Sequence, residues 1–303
     1  MNTINRTLAS LLLGAAAIAS GQAQALNVLA CEPEWEALAR ELGGDKITAS
    51  SATSALQDPH RIEARPSLIA RTRNADLLVC TGLDLEAGWL PLLVQQSGNG
   101  KVAPGQPGFF EAGGFVPRIG IPASVDRGDG DVHAAGNPHV HLNPHNIALV
   151  AAALARRLAE LDPANAALYQ GRHKDFAARW GAATLRWERR AAPLRNMDVV
   201  EHHKNMDYLL GWLGMRVVGT LESKPGVEPS AAHLGKLLSQ QQRNPAKMVV
   251  RGAYQDGRAS QWLSQRGKIP AVVLPYTVGA DAQSGNLFAL FDSSIERLLA
   301  AAK

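Results

Sequence analysis

Residues 26–51, LNVLACEPEWEALARELGGDKITASS, decide the fold. Residues 26–30 form a short apolar run that is typical of a buried strand. Residues 34–42 favour a helix, and the pair Gly43-Gly44 is a common signal for its end. Residues 47–51 form a second strand pattern. This order of strand, helix and strand predicts a parallel sheet covered by helices.

The same alternation continues along most of the chain. Further strands are predicted at residues 75–80, 115–119, 197–200, 215–221, 247–251 and 271–274. Further helices are predicted at residues 66–73, 85–96, 204–213, 231–241, 259–265 and 287–302. Residues 123–138 interrupt the pattern with three glycines, three aspartates and His133, so we expect a loop there.

Two long helices are predicted between the two strand-rich parts. Asn143-Pro144 is an N-cap followed by a proline in the first turn, and apolar residues at helical spacing continue to Leu161. Asp162-Pro163 repeats this signal, and the second helix is predicted to reach about residue 192, a length of roughly 45 Å. We therefore expect an N-terminal α/β lobe at 26–162, a linking helix at 163–195 and a C-terminal α/β lobe at 196–303.

The first 25 residues have the features of a secretory signal peptide. Arg6 precedes an apolar run at residues 8–19, and residues 23–25, Ala-Gln-Ala, are a small-x-small cleavage pattern. The run is shorter than the ~20 apolar residues that span a bilayer, which argues against a retained membrane anchor. The remaining 303 − 25 = 278 residues are enough for two domains.

Charge and cysteine content narrow the class of protein further. The formal net charge is +4, and no basic run is dense enough to predict nucleic-acid binding. Cys31 and Cys80 each end a predicted strand, and neighbouring parallel strands would bring them within bridging distance. Because export permits oxidation, we favour a disulfide, with two buried free thiols as the alternative.

Three histidines lie in three separate loops: His60, His139 and His203. They are 139 − 60 = 79 and 203 − 139 = 64 residues apart, which excludes a local metal-binding motif. Ligands in open α/β sheets bind beyond the carboxyl ends of the strands, so the three histidines could meet in a cleft between the lobes. Neutral imidazoles favour Zn²⁺ over Mg²⁺ or Ca²⁺.

The segments around these histidines resemble those of the metal-binding receptors of bacterial zinc and manganese ABC importers, the ZnuA-like cluster A-I solute-binding proteins. They are Asp58-Pro59-His60-x-x-Glu63, Pro138-His139-x-His141, His203 followed at five residues by Tyr208, and Glu222-x-Lys224-Pro225-Gly226. The likeness runs from about residue 26 to 299. It implies that His60, His139 and His203 bind the metal and that a long rigid helix joins the two lobes.

The resemblance leaves the fourth metal ligand open. The family often has an aspartate or glutamate just before the last helix, whereas this chain has Asn286 there, which is also a good N-cap. Water, Asn286 and Asp281 are therefore the candidates. At the third position, the histidine His203 favours zinc, because manganese receptors more often have glutamate.

Several other polar residues have two interpretations each. His202 is an alternative to His203, although the five-residue step to Tyr208 favours His203. His133 either takes up zinc from its loop or is an inert surface residue. Candidates to orient the imidazoles, with helix or turn capping as the alternative, are Asp58, Glu63 and Glu228. Packing or surface roles are expected for His141, His145, His173 and His233.

The resemblance implies a monomeric periplasmic receptor that captures Zn²⁺ and delivers it to an inner-membrane ABC permease, with no catalytic residues. A manganese receptor of the same type is one alternative. A zinc hydrolase is another, but the chain has no His-Glu-x-x-His helix and no general base placed by its sequence. A surface adhesin or metallophore receptor on the same scaffold is the third.

Overall fold

The computed structural model describes residues 25–125, 128 and 130–303. The strands are β1 (Leu26–Ala30), β2 (Ile47–Ser51), β3 (Leu77–Cys80), β4 (Phe109–Glu111), β5 (Asp198–Glu201), β6 (Arg216–Thr220), β7 (Met248–Gly252) and β8 (Ala271–Leu274). The helices are α1 (Pro33–Gly43), α2 (Pro66–Arg73), α3 (Leu90–Ser97), α4 (Pro144–Leu161), α5 (Ala166–Arg190), α6 (Asp207–Trp212), α7 (Ala231–Arg243), α8 (Arg258–Gly267) and α9 (Leu287–Ala301).

The predicted signal peptide, except for its last residue Ala25, lies outside the described residues. Within the described ranges, no helix combines the length and the apolar character that crossing a bilayer requires.

Two four-stranded parallel sheets form the two lobes, which confirms the predicted fold class. Their strand orders are β2-β1-β3-β4 and β6-β5-β7-β8. In both sheets the order reverses beside the first strand, between β1 and β3 and between β5 and β7. Such a reversal opens a crevice at the carboxyl ends of the strands, where ligands bind. The loops that carry His60 and His203 leave the sheets at these ends.

The long helix α5 has 25 residues and a length of about 38 Å. It is shorter than predicted because 3₁₀ turns at Pro163–Asn165 and Ala192–Leu194 flank it. Its buried face contains four aromatic residues, Tyr169, Phe176, Trp180 and Trp187. This face packs against α1, α4 and α9, so the helix lies within the molecule rather than bridging a gap.

One hydrophobic core runs through both lobes. It includes Leu38 of α1, Val199 of β5 and Phe291 of α9, all of them buried. The central helices therefore join the lobes through continuous packing. The division of the chain at residues 162/163 and 195/196 stays a prediction.

The strand predicted at residues 115–119 is wrong. The fourth strand lies earlier, at Phe109–Glu111, where Phe110 is buried opposite Val79 of β3. Residues Ala112–Phe115 form a 3₁₀ turn, and Phe115 and Ile119 are exposed. The apolar pattern that predicted a strand therefore belongs to a surface segment, because the pairing with β3 is already satisfied by the preceding residues.

The helix predicted from residue 85 begins only at Leu90. Gly82, Leu83 and Asp84 have successive φ angles of +73°, +54° and +66°, a left-handed turn that a right-handed helix cannot continue. The carboxylate of Glu86 holds this turn by accepting hydrogen bonds from the backbone N–H groups of Thr81 and Gly82.

Cys31 and Cys80 form the predicted disulfide. Cys31 directly follows β1, Cys80 is the last residue of β3, and Ala30 pairs with Val79 in the parallel register of the two strands. The two Cα atoms lie 4.7 Å apart, and both side chains are fully buried. The bridge therefore joins the two central strands of the first sheet at the end from which ligand-binding loops leave.

Candidate metal centre

The structure brings together the three histidines that are far apart in the sequence. His60 lies in the loop after β2, His139 lies just before α4, and His203 lies in the turn after β5. One nitrogen of each ring lies within 4.8 Å of the corresponding nitrogens of the other two. The ring centroids are 5.5, 5.8 and 5.7 Å apart. Three nitrogens at this spacing can face one ion, as tetrahedral zinc sites require.

A hydrogen-bonding partner holds the second nitrogen of each ring. The Nδ1 atoms of His60 and His203 lie 2.7 Å from carboxylate oxygens of Asp58 and Glu222. Because an ionised carboxylate only accepts, each Nδ1 carries the proton and each Nε2 keeps a lone pair. Such partners are typical of metal-bound histidines, since they fix the tautomer and the orientation of the ring.

His139 is held by a tyrosine from the second lobe. Its Nδ1 lies 2.7 Å from the hydroxyl of Tyr276, and both side chains are buried. Its backbone N–H donates to Oδ1 of Asn137, whose amide also donates to the carbonyl of Lys204. The position of His139 is therefore fixed from both lobes.

Burial controls the charge of these groups. The pKa of His139 lies well below its usual value because burial disfavours the charged ring, and the neighbouring histidines repel a further positive charge. Burial alone would raise the pKa of Asp58, but the hydrogen bonds and the charge of His60 outweigh it and lower that pKa. A neutral His139, together with an ionised Asp58 on His60, is the protonation pattern that cation binding needs.

One nitrogen of the site has no hydrogen-bonding partner in the described part of the chain, which indicates a ligand. Nε2 of His60 is buried and has no hydrogen-bonding partner among the described residues. A buried polar atom of this kind is costly unless something binds it. Together with the three converging nitrogens, this orphaned atom fits a bound metal ion.

Neither residue predicted for the fourth place lies with the three histidines. Asn286 caps α9, since its side-chain oxygen accepts from the backbone N–H of Ala289 at 2.9 Å. It lines a separate cavity with Ala37 and Arg172. Asp281 pairs with Arg297 at 2.5 Å. Within the described part of the chain, no carboxylate joins the three histidines at the spacing of a shared ion.

His133 lies against the site, which the sequence did not reveal. Its ring stacks on that of His60 with a centroid distance of 5.3 Å and an interplanar angle of 30°. Burial, followed by the charges of His60 and His203, lowers its pKa to about 4. A histidine among aspartates was the only sequence signal. This signal could not show where a loop of this length would place the histidine.

Of the residues predicted to orient the imidazoles, Asp58 contacts His60, whereas Glu63 is exposed. Glu228 lines a cavity beside the site together with His202. The sequence missed Glu222 and Tyr276 in this role. The segment Glu222-x-Lys224-Pro225-Gly226, which carries part of the family resemblance, is a sequence signal for Glu222, but nothing in the local sequence marks Tyr276.

The other histidines have separate partners. His202 lies 3.7 Å from Glu222 through Nε2 and does not belong to the converging group. His141 is buried between Glu34 and the carbonyl of Tyr276. His145 forms an exposed pair with Glu188, and His233 bonds the carbonyl of Thr220. These contacts agree with the packing and surface roles expected for His141, His145 and His233.

A family model described as ZnuA, zinc-uptake complex component A periplasmic, matches residues 28–301 of this chain. The chain belongs to the ZnuA family. The match includes every element of both sheets except the first two residues of β1, together with the three histidines.

Relatives of this ZnuA-family chain include streptococcal proteins. The metal ABC transporter substrate-binding lipoprotein ScbA of Streptococcus cristatus is 31% identical over 160 residues, which cover 52% of this chain and 48% of ScbA. The manganese ABC transporter substrate-binding lipoprotein scaA of Streptococcus gordonii is 30% identical, with 50% and 46% covered. The chain thus spans about half the length of the curated relatives it matches.

A crystal structure of ZnuA has the same fold. It superposes with a TM-score of 0.75 at 21% sequence identity, covering 92% of this chain and 100% of that one. At this level of identity the likeness concerns the architecture of two lobes and a long helix.

Proposed function

We propose that this chain is a periplasmic substrate-binding protein that captures Zn²⁺ through His60, His139 and His203 and delivers it to an ABC permease in the inner membrane. The observation that carries the proposal is the convergence of three imidazoles, whose ligand nitrogens lie within 4.8 Å of one another. Membership of the ZnuA family supports it. Each ring is already oriented by a partner on Nδ1, so little reorganisation accompanies binding.

The donor set favours zinc over manganese. Imidazole nitrogens suit Zn²⁺, whereas Mn²⁺ prefers carboxylate and other oxygen ligands. The carboxylates beside the site, Asp58 and Glu222, are engaged by Nδ1 atoms. A manganese receptor is the second candidate, because the relative scaA is named for manganese.

The arrangement supports binding rather than catalysis. Asp58 and Glu222, the carboxylates that contact the metal-site histidines, each hold a ring and are not available as a general base. We therefore assign no catalytic residue. A single protein chain contains all three histidines, so a monomer suffices for capture.

Export of the chain through a cleaved leader at residues 1–25 is part of the proposal. The relatives named above are lipoproteins, but both cysteines of this chain are bridged to each other and buried. Cys31 is therefore engaged in the fold of the first lobe.

Competitive metal titration tests the proposal. The purified protein is stripped of metal and titrated with Zn²⁺ and with Mn²⁺ against a chelator. The same titrations are carried out on His60→Ala, His139→Ala and His203→Ala. His145→Ala is the matched control, because its side chain is 60% exposed and lies on the surface of α4.

We expect zinc to bind more tightly than manganese. Each of the three site variants should lose more than about 100-fold in zinc affinity, since even the outer partners of metal ligands are worth about 10- to 100-fold. Near wild-type zinc affinity in all three variants would refute the site. Tighter binding of Mn²⁺ than of Zn²⁺ would instead favour the second candidate.

A further inference from the structure

His133 is a fourth imidazole beside the three converging histidines. Its ring centroid lies 5.3 Å from that of His60 and 6.5 Å from that of His139. Its Nε2 is buried and has no hydrogen-bonding partner among the described residues. A buried nitrogen without a partner is unfavourable unless it binds something, so a ligand is implied on this side of the site.

The segment that carries His133, residues 130–133, is here named the strap. It lies directly on residues 225 and 226 of the second lobe. The N–H of Asp131 donates to the carbonyl of Pro225 at 2.8 Å, and the carboxylate of Asp131 lies 3.6 Å from Arg61 of the first lobe. The strap is therefore held from both sides of the cleft.

Two glycines make this close contact possible. A Cβ atom on Gly130 would lie 2.2 Å from the carbonyl oxygen of Pro225, and one on Gly226 would lie 2.0 Å from Oδ2 of Asp131. Both glycines have positive φ, 80° and 73°. The N–H of Gly226 donates to Glu222, the residue that holds His203. The strap thus contacts the segment that positions a metal-site histidine.

The carboxylates that hold the site histidines, and the two residues predicted for the fourth place, are committed to other partners. Asp58 and Glu222 hold the Nδ1 atoms of His60 and His203. Asp281 and Asn286 pair with Arg297 and with the backbone of α9. His133 offers a buried Nε2 without a partner among the described residues, and its ring stacks directly on His60. The Nδ1 of His202 also lacks a partner there, but the ring of His202 lies against Glu222.

We propose that His133 is the fourth ligand of the captured ion, which gives a site of four imidazoles with tetrahedral geometry. This inference rests on the proposed function. In the structure His133 stacks on His60 and lies outside the group of three within 4.8 Å, so its ring turns about its side-chain torsions to bind. A cavity of about 460 Å³, lined by His133, His139 and His203, gives it room.

X-ray absorption at the zinc K-edge tests this inference, because multiple scattering from imidazole rings counts the bound histidines. The full chain is loaded with one equivalent of Zn²⁺. We expect four imidazoles in the wild-type protein and in His145→Ala, and three in His133→Ala. Competitive titration should show a loss in zinc affinity of at least about 10-fold for His133→Ala.

The outcomes separate this inference from the proposed function. Three imidazoles in the wild-type protein, with zinc affinity that still collapses in His60→Ala, would overturn the role of His133 and leave the function intact. A wild-type protein that binds no zinc would overturn the function itself. An unchanged imidazole count in His133→Ala would also refute the inference, whatever the affinity. The wild-type count needs no variant, so a folding defect cannot obscure it.

Discussion

At the scale of single residues, three hydrogen bonds of 2.7 Å decide how the site histidines face one another. Two of them end on carboxylates, and the third ends on the hydroxyl of Tyr276. A charged acceptor strengthens the bond and makes the far nitrogen of the ring a better donor to a metal. The affinity of the site should therefore depend on residues that do not themselves touch the ion.

Glu222→Gln tests this dependence. Its Oε2 accepts from Nδ1 of His203 and from the N–H of Gly226, both at 2.7 Å. Loss of the charge should weaken zinc binding by about 10- to 100-fold, measured by chelator competition. Asp45→Asn is the control, because that side chain is 80% exposed on the surface. A Glu222→Gln affinity within twofold of wild type would show that the carboxylate does not support His203.

The buried carboxyl group of Glu86 makes the stability of the protein depend on pH. Glu86 lies beside Glu32, and burial raises its pKa to about 7 from an ordinary 4.5. The unfolded chain releases this proton near pH 4.5, so the folded protein holds more protons between the two values. The stability from this group is present below pH 4.5 and is lost as the pH rises through 7.

Glu86→Gln should therefore flatten the pH profile. Between pH 5 and 8 the wild-type protein should lose about 2–3 kcal/mol more of its free energy of unfolding than the variant, as measured by urea denaturation. Glu160→Gln, with an exposed side chain, should keep the wild-type slope. Equal slopes for Glu86→Gln and wild type would mean that Glu86 is ionised throughout.

At the scale of elements, the aromatic contact between α5 and α9 joins the linking helix to the second lobe. Phe291 of α9 stacks on Trp187 and meets Trp180 edge-on, at centroid distances of 5.1 and 5.5 Å. All three side chains are buried. Shape-specific packing of this kind fixes the helix against the lobe and so fixes the frame around the cleft.

Phe291→Ala should destabilise the protein by about 3–5 kcal/mol, because it removes a buried ring and leaves a cavity. Thermal and urea unfolding measure the change. Leu185→Ala on the same linking helix is the control, since Leu185 is 56% exposed and should change the stability by less than about 0.5 kcal/mol. A small effect of Phe291→Ala would show that the two helices are not tightly coupled.

Elements with strong local signals were predictable from the sequence. Helix α2 begins at Pro66 and ends at Arg73 as predicted, because a proline in the first turn marks its start. Strand β4 and the start of α3 were not predictable. The first depends on pairing with β3, and the second depends on a left-handed turn at Gly82 that Glu86 stabilises from a distance.

The candidate site, too, was only partly predictable from the sequence. Its three histidines follow from loop positions and from the family resemblance. The partners Tyr276 and His133 do not, because they reach the site only through the packing of the two lobes and the course of a long loop.

At the scale of the whole molecule, two sheets of the same strand order bring the loops of His60 and His203 to one site. The continuous core and the central helix pair α4 and α5 hold them in this position. His203 comes from the second lobe, whereas His60 comes from the first. An ion bound by all three histidines therefore sits between the lobes, and a movement of one lobe would break at least one metal bond.

Anomalous diffraction at the zinc edge, from crystals of the zinc-loaded protein, tests this central claim most directly. We predict one strong anomalous peak between the lobes, about 2.0–2.1 Å from one nitrogen each of His60, His139 and His203. A principal peak elsewhere, or one that is not bonded to all three histidines, would contradict the account.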